Sequence, residues 1–378
     1  MTSEHSHAHP AGAEHDAYDA SVALWLRRVT AGETPSASLA DAEALASLPA
    51  AAVADTAHRH RVAPWVRAAL TEHQARIPAE HWARLSAAAE QHVNRTLAHY
   101  VGLLRLLEWA ESETIEVVVL KGATVARWYP DPLLRPYSDV DLLLQEVDVD
   151  RVVARLVESG FAEKPHSHDD PAHHEHGEFQ RIFMHGVTGQ IVEVHVNHLQ
   201  IGLRPVGMRD IWERSQPITL HRTTARSLEA NDLFVHLAVH LHRHGFDRLI
   251  WFKDLDLIAR TGTLDWDRVA DLADEQGCGE SLAATLELLV EMLGTPLPPE
   301  AISIIRTRSR VSRWLFNRVW KPSDVAALLP RRRWRMRRAV QFAPETGLLR
   351  GGLLAFLFTG RRRDKLRILV ARLRHRQA

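Results

Sequence analysis

The stretch "LKGATVARWYPDPLLRPYSDVDLLLQ", residues 120–145, decides the fold. It joins a Lys-Gly pair, a run of turn residues and an Asp-Val-Asp at the start of an apolar segment. The overlapping run "IEVVVLKG" (115–122) is rich in β-branched residues and predicts a buried strand that ends in a turn. "SDVDLLLQ" (138–145) predicts a second strand, followed by a helix at 149–161. A small sheet is therefore expected in the middle of the chain.

The second predicted strand carries two acids. Side chains alternate between the two faces of a strand, so Asp139 and Asp141 point the same way. Two carboxylates at this spacing repel unless a cation lies between them, and oxygen ligands suit Mg²⁺. In "IVEVHV" (191–196) the same alternation puts Glu193 and His195 on one face. If that strand lies beside the first, Glu193 completes a three-carboxylate site for two metal ions.

The Lys-Gly pair indicates a phosphate site. Gly122 stands between the first strand and a short predicted helix at 123–129, and a helix N-terminus with a close backbone favours phosphate. Thr124 adds a hydroxyl. Lys121 and Arg135 are the nearest cations for a triphosphate.

The rest of the chain is predicted to be helical on both sides of the sheet, which makes the fold α+β with a small mixed β-sheet core. Apolar residues three and four apart mark the helices, and 92–112 is the clearest example. The predicted regions are a disordered His-rich tail (1–17), a helical N-terminal region (18–112), the sheet core (113–225), a helical domain (226–300) and a basic helical C-terminal region (301–378).

The motifs occur in a recognisable order: Lys-Gly, Tyr-Pro, Arg-Pro and Asp-Val-Asp-Leu-Leu, then "VEVHV" and the helical "LIWFKDLDLIA". This order resembles the polymerase-β-like nucleotidyltransferase superfamily and, more narrowly, a bacterial family of uncharacterised nucleotidyltransferases. The resemblance covers roughly residues 90–262. One departure is that Gly122-Ala123 stands where the superfamily usually has Gly-Ser.

The resemblance implies metal-dependent nucleotidyl transfer carried by Asp139, Asp141 and Glu193. An NMP would move from an NTP to an acceptor hydroxyl, on a small molecule or RNA, with release of pyrophosphate. Relatives often place a cation from a later helix on the nucleotide phosphates, and Lys253 is the candidate here. A surface lysine beside Trp251 fits the sequence equally well. A non-catalytic nucleotide-binding adaptor is the alternative function.

The basic C-terminal region has 21 Lys and Arg against 3 Asp and Glu, although the whole chain has a formal net charge of zero. Such a segment suits RNA or an anionic membrane surface, and solvated helix faces are the alternative. No apolar run reaches the roughly 18 residues that span a bilayer. Cys278 is the single cysteine, so an intrachain disulfide is impossible and a cytoplasmic location is expected.

Histidines are concentrated in two places. The loop around 166–176 holds five of them, and we interpret it as a solvated loop rather than a transition-metal site, because the spacing of a structural zinc site is missing. His236, His240 and His244 lie four residues apart on one predicted helix face. The Glu of a metalloprotease His-Glu-x-x-His motif is missing there, which favours helix packing over metal binding.

Overall fold

The computed structural model describes residues 11–164, 180–196, 198–199 and 206–307, together with the single positions 313, 325, 327 and 328. The helices are α1 (Ala11–Thr30), α2 (Leu39–Leu45), α3 (Ala50–Arg59), α4 (Ala63–Leu70), α5 (Ala79–Ser112), α6 (Ala123–Ala126), α7 (Glu146–Glu158), α8 (Met208–Arg214), α9 (Ala230–Arg243), α10 (Leu249–Arg260), α11 (Trp266–Glu275), α12 (Gly279–Leu293) and α13 (Pro299–Thr307). The strands are β1 (Val118–Val119), β2 (Val140–Leu144), β3 (Phe161–Glu163), β4 (Gln180–His185), β5 (Ile191–Val196), β6 (His198–Leu199), β7 (Val206–Gly207), β8 (Gln216–Leu220) and β9 (Thr223–Ser227).

The N-terminal helices differ from the prediction at their start. Helix α1 begins at Ala11, so it takes in residues 11–17, for which the sequence predicted disorder. Alanine is the strongest helix former, and this stretch contains several. Helix α5 confirms the long helix predicted at 92–112 and extends it back to Ala79, over 34 residues.

Seven strands form one mixed sheet in the order β3-β4-β5-β2-β1-β9-β8. Strand β2 pairs antiparallel with β1 and parallel with β5. All five residues of β2 are buried, as expected for a strand covered on both faces. The strands predicted at 138–145, 179–185 and 190–199 are confirmed. The β8–β9 hairpin has no counterpart in the prediction, and it carries the sheet to Ser227, beyond the predicted limit at 225.

The sheet separates two hydrophobic cores. On one face, Leu142 and Val194 pack with the second half of α5 and with α7. On the other face, Val118, Leu120 and Leu143 pack with helices from both ends of the chain. Because side chains alternate along β2, Asp141 shares the second face with Leu143. The face of the sheet that carries Asp141 is thus the one covered by helices from both ends of the chain.

Helices from the N-terminal and C-terminal sides of the sheet pack together in the same core, on one face of the sheet. His60 joins them, since its Nδ1 accepts a hydrogen bond from the Leu249 N–H at 3.3 Å and its carbonyl accepts one from the Ile250 N–H at 3.2 Å. Burial lowers the pKa of His60 to about 3, so the ring is neutral and able to accept. The start of α10 is therefore fixed to the end of α3.

Within the described residues, the helices are too short or too polar to cross a membrane. The His-rich loop falls almost wholly in 165–179 and most of the basic region in 308–378, outside the described residues. The predicted RNA and membrane contacts of the basic region stay predictions.

Candidate active site

Three side chains that can bind a metal meet on the face of the sheet that carries Asp141. In the parallel pairing of β2 with β5, Asp141 lies opposite Glu193, and Leu143 lies opposite His195. The three-carboxylate hypothesis required these two strands to be neighbours, and they are. One ligand atom from each of Asp141, Glu193 and His195 lies within 4.8 Å of the others. We call these three residues, with Lys121, the carboxylate cluster.

Lys121 supplies the positive charge of this cluster. Its Nζ lies 2.9 Å from Asp141 Oδ1, and His195 Nε2 lies 3.5 Å from the same oxygen. Burial alone would lower the pKa of Lys121, but the charge of Asp141 and the other acids raises it above its usual value. Burial alone would raise the pKa of Asp141, but Lys121 and His195 hold it below its usual range. Both groups are therefore charged.

Glu193 titrates differently from Asp141. Burial, and then repulsion by the neighbouring Asp141 carboxylate, raise the pKa of Glu193 to about 8. In the free protein at neutral pH this carboxyl therefore holds a proton for much of the time. A divalent cation and that proton would compete for the same oxygen atoms.

The cluster fits a divalent cation. Both oxygens of Asp141 and Nε2 of His195 are buried, and none has a hydrogen-bond partner among the described residues. The polar groups nearest to Asp141 Oδ1 are Lys121 Nζ at 2.9 Å and His195 Nε2 at 3.5 Å. Buried polar atoms normally have partners, so such atoms indicate a ligand. The two carboxylates suit Mg²⁺ or Mn²⁺, whereas the imidazole suits Mn²⁺ better than Mg²⁺.

Asp139 stands beside this set rather than inside it. It precedes β2 and is half-buried. Its charge acts on both Lys121 and Glu193, so it lies in the same electrostatic environment. The predicted three-carboxylate arrangement with two ions stays a prediction, because the set of close ligand atoms is built from Asp141, Glu193 and His195.

Gly122 makes a sharp turn next to the carboxylate cluster. Its φ is +68° and its ψ is −109°, and a Cβ added there would come within 3.4 Å of the Tyr137 ring. Glycine is suited to both constraints. The predicted helix after it is α6, a single buried turn. Thr124 on this turn is buried, and its hydroxyl has no hydrogen-bond partner among the described residues.

Arg135 is engaged inside the fold. Its Nε and Nη2 donate to the two carboxylate oxygens of Asp254 at 3.0 and 2.7 Å. Its Nη1 donates to the Gly122 carbonyl at 3.4 Å, and the Tyr129 hydroxyl donates to Asp254 at 2.6 Å. Arg135 thus ties the glycine turn to α10. The predicted contact with a triphosphate would have to compete with this buried pair.

Lys253 is also engaged inside the fold. Its side chain is fully buried, so the alternative of a surface lysine is wrong. Its Nζ donates to the Gly32 carbonyl and to Asp256 Oδ2, the latter at 3.0 Å, and lies 4.2 Å from the centre of the Trp65 ring. These partners fix α10 against the N-terminal helices. A phosphate contact would require Lys253 to leave them.

His236 on α9 lies within range of the charges of the carboxylate cluster; the sequence interpretation favoured helix packing and left open that one of these histidines faces the substrate. Its charge interactions are with Lys121, Asp141 and His195. Burial and then Lys121 lower its pKa to about 3, so the ring is neutral. Neither ring nitrogen has a hydrogen-bond partner in the part of the chain that the structure describes. The four-residue spacing of the histidines was the available signal.

Further along the same face of α9, the histidines meet an aromatic side chain. The rings of His240 and His244 lie 4.4 Å apart, centre to centre, and Trp251 lies 4.9 and 5.0 Å from them. His240 is half-buried and His244 is exposed. This aromatic row leads from the carboxylate cluster towards the surface.

Comparison with known proteins agrees with the geometry. The sequence profile of the family described as uncharacterised nucleotidyltransferase matches residues 47–294, more than half of the chain. No curated protein matches this chain. Among solved structures, an antigenic nucleotidyltransferase-like protein from Paracoccidioides brasiliensis is similar to this chain, with 13% sequence identity. The match covers 54% of this chain and 95% of the other protein, with a TM-score of 0.29. A score this low adds nothing to the family assignment. The chain belongs to the uncharacterised nucleotidyltransferase family.

Proposed function

We propose that this protein is a metal-dependent nucleotidyltransferase that moves an NMP from an NTP to an acceptor hydroxyl. The observation that supports this best is the pairing of Asp141 with Glu193 across β2 and β5, with His195 alongside and with both oxygens of Asp141 unsatisfied. A structural ion pair would be fully hydrogen-bonded. A cluster that keeps charged oxygens available favours a ligand.

The reaction needs one bond to form and one to break. The acceptor oxygen forms a bond to the α-phosphorus, the bond from that phosphorus to the bridging oxygen breaks, and pyrophosphate leaves. The proton of the acceptor hydroxyl passes to the Glu193 carboxylate.

Asp141, Glu193 and His195, together with the predicted ligand Asp139, would hold the metal. When bound, Mg²⁺ would neutralise charge on the phosphates and on the leaving pyrophosphate. Lys121 is the cation nearest to the carboxylates and would move its charge from Asp141 to a phosphate oxygen. The turn at Gly122 and the unsatisfied hydroxyl of Thr124 would help to seat the triphosphate.

The acceptor stays open between a small molecule and RNA. The basic region 301–378 favours RNA through phosphate contacts, and an anionic membrane surface is its other proposed partner. RNA that co-purifies with the protein and is lost as salt increases would support an RNA acceptor. The cytoplasmic location inferred from the sequence likewise stays a prediction.

The test is incubation of the purified protein with each labelled NTP and Mg²⁺, with and without total RNA and a small-metabolite extract. Pyrophosphate release from one NTP, with label transferred to one fraction, would establish the activity and the acceptor class. We expect Asp139→Asn to lower transfer while the unfolding transition stays that of the wild type. Full activity in Asp139→Asn would remove this residue from the proposed site.

A catalytically inactive nucleotide-binding adaptor is the second candidate. The ion pair between Lys121 and Asp141 favours it, because the lysine already compensates the buried carboxylate without a metal. The adaptor predicts NTP binding that does not depend on Mg²⁺ and no pyrophosphate release with any acceptor. The transferase predicts that Mg²⁺ strengthens NTP binding.

A further inference from the structure

Arginines from three separate elements meet around the segment that leads into Asp139. The most direct contact is made by Arg61, whose Nη2 donates to the Ser138 hydroxyl at 2.6 Å. Arg61 follows α3 and has a φ of +59°, and its N–H donates to the His58 carbonyl at 2.9 Å. A non-glycine residue in this left-handed conformation is uncommon. The backbone there is turned so that the guanidinium reaches the start of β2.

Arg248 is brought to the same place by the contact that joins the two ends of the chain. His60 accepts a hydrogen bond from the Leu249 N–H, and these two residues directly neighbour Arg61 and Arg248 in sequence. The guanidinium of Arg248 lies 5.1 Å from the centre of the Trp251 ring, in a cation–π contact. Arg248 therefore lies against Trp251 of the aromatic row, and its charge acts on Arg61.

Arg95 approaches from α5. Its neighbour Thr96 accepts a hydrogen bond through Oγ1 from the Tyr137 N–H at 3.3 Å. This bond fixes α5 against the same loop, one residue before Ser138. Arg95 itself is exposed, so its guanidinium is free to reach a ligand in solvent.

The charges of these arginines act on one another. After burial, the strongest effects on Arg61 are repulsion by Arg248, attraction by Asp139, and repulsion by Arg135 and Arg95; together they lower the pKa of Arg61 to about 10. Arg135 is already paired with Asp254. Guanidinium groups held together in this way repel, and a bound anion offsets the repulsion.

We propose that Arg61, Arg95 and Arg248 bind a phosphate group beside Asp139. The inference rests on the proposed function for its meaning, because it puts a second phosphate-binding surface next to the carboxylate cluster. The planar fork of arginine matches phosphate oxygens and binds them with two parallel hydrogen bonds. The phosphate comes either from the NTP or from a phosphorylated acceptor.

The experiment titrates inorganic tripolyphosphate into the full chain without metal and measures affinity by calorimetry. Arg248→Gln and Arg95→Gln should each weaken binding by roughly tenfold, the effect of losing one charge-assisted contact. Arg105→Gln is the matched control, because Arg105 is an exposed arginine further along α5. It should bind tripolyphosphate as the wild type does. Arg61→Lys keeps the charge without the fork and should fall between the wild type and Arg248→Gln.

The same titration identifies the source of the phosphate. If NTP displaces tripolyphosphate, the arginines bind the triphosphate of the nucleotide. If tripolyphosphate still binds to protein saturated with NTP, and this second binding is lost in Arg248→Gln, the arginines bind a phosphate of the acceptor. Both results support the site.

Wild-type affinity in both Arg248→Gln and Arg95→Gln, with unfolding curves like that of the wild type, would overturn the proposal. Because the titration uses neither metal nor acceptor, it is independent of catalysis. A protein that transfers no nucleotide but loses tripolyphosphate binding in these variants keeps the arginine site and loses only the proposed function.

Discussion

Two buried charge clusters lie beside the turn at Gly122, and they differ in how completely they are hydrogen-bonded. In the cluster of Arg135, Asp254 and Tyr129, both oxygens of the carboxylate accept hydrogen bonds from the protein. In the carboxylate cluster, both oxygens of Asp141 are buried without a hydrogen-bond partner among the described residues. The first arrangement holds the fold together, and the second keeps charge available for a ligand.

A further ion group on α10 repeats the first pattern. Asp256 accepts from Lys253 at 3.0 Å, from Arg260 at 2.7 Å and from the Thr295 hydroxyl at 2.8 Å. Burying a charge is costly unless it is paired and hydrogen-bonded, and here it is. The comparison teaches that burial and charge alone do not identify a functional site. Here the further observation is that the oxygens of a charged, buried carboxylate have no hydrogen-bond partner among the described residues.

The largest expected effect is on stability, at the hydrogen-bonded cluster of Arg135, Asp254 and Tyr129. Arg135→Met should lower the free energy of unfolding by about 3–5 kcal/mol, because it leaves the buried Asp254 without its cation. Denaturant unfolding measures this. Arg84→Gln is the control, since it breaks only an exposed pair with Glu80 and should change little. Wild-type stability in Arg135→Met, with a raised KM for NTP, would instead make Arg135 a phosphate ligand.

Lys253→Met should have a smaller effect on stability. The variant loses the contacts with Asp256, the Gly32 carbonyl and the Trp65 ring, but Asp256 keeps two other partners. We expect a loss of roughly 1–3 kcal/mol in denaturant unfolding. The KM for NTP, measured well below the unfolding transition, should not change. A large increase in that KM at unchanged stability would restore the phosphate role predicted from the sequence.

The carboxylate cluster should give a pH dependence of metal binding. Because the pKa of Glu193 is raised to about 8, a proton competes with Mg²⁺ at neutral pH. The Mg²⁺ affinity should rise by roughly tenfold per pH unit below that value and level off above it. Calorimetry in buffers of different ionisation enthalpy would detect the released proton. Glu193→Gln is the control, and it should bind Mg²⁺ weakly at every pH.

The same group links stability to pH. A carboxyl whose pKa is higher in the folded than in the unfolded protein contributes stability at low pH, and this contribution is lost as the pH rises through about 8. Metal-free protein should therefore lose stability progressively between about pH 4.5 and 8, and the loss should level off above that. Mg²⁺ should reverse this loss. Equal loss in Glu193→Gln would assign the effect to another group.

The smallest expected effect concerns His236. His236→Phe keeps an aromatic ring at this position of α9 and removes two nitrogen atoms that have no hydrogen-bond partner among the described residues. If one of them binds substrate, kcat/KM should fall by roughly two- to tenfold, the value of one hydrogen bond. Mg²⁺ affinity should not change. An identical kcat/KM would show that the ring only fills space.

The sequence predicted the parts of this site that depend on local geometry. Alternation along a strand is a local property, so Asp141, Glu193 and His195 could be assigned to faces before any pairing was known. That the two strands are neighbours was a condition of the hypothesis, and the register shows that the condition is met. The turn at Gly122 could also be predicted, because a glycine between a strand and a helix usually marks a turn.

Long-range partners could not be predicted in this way. Nothing local to Arg135 reveals that Asp254, 119 residues later, accepts two of its hydrogen bonds. For the same reason Lys253 looked equally suited to phosphate and to the surface. Arg61 was missed because it belongs to a helical region outside the motif, and only tertiary packing brings it to Ser138.

The most direct test of the comparison measures pyrophosphate release and the free energy of unfolding in Asp141→Asn and Asp254→Asn side by side. Asp141→Asn should lose about 10²–10³-fold in transfer, as expected for a group that stabilises charge in the transition state, and stay folded. Asp254→Asn should mainly lower the free energy of unfolding, because the buried charge of Arg135 then lacks a charged partner. Transfer at the wild-type rate in Asp141→Asn would contradict the account.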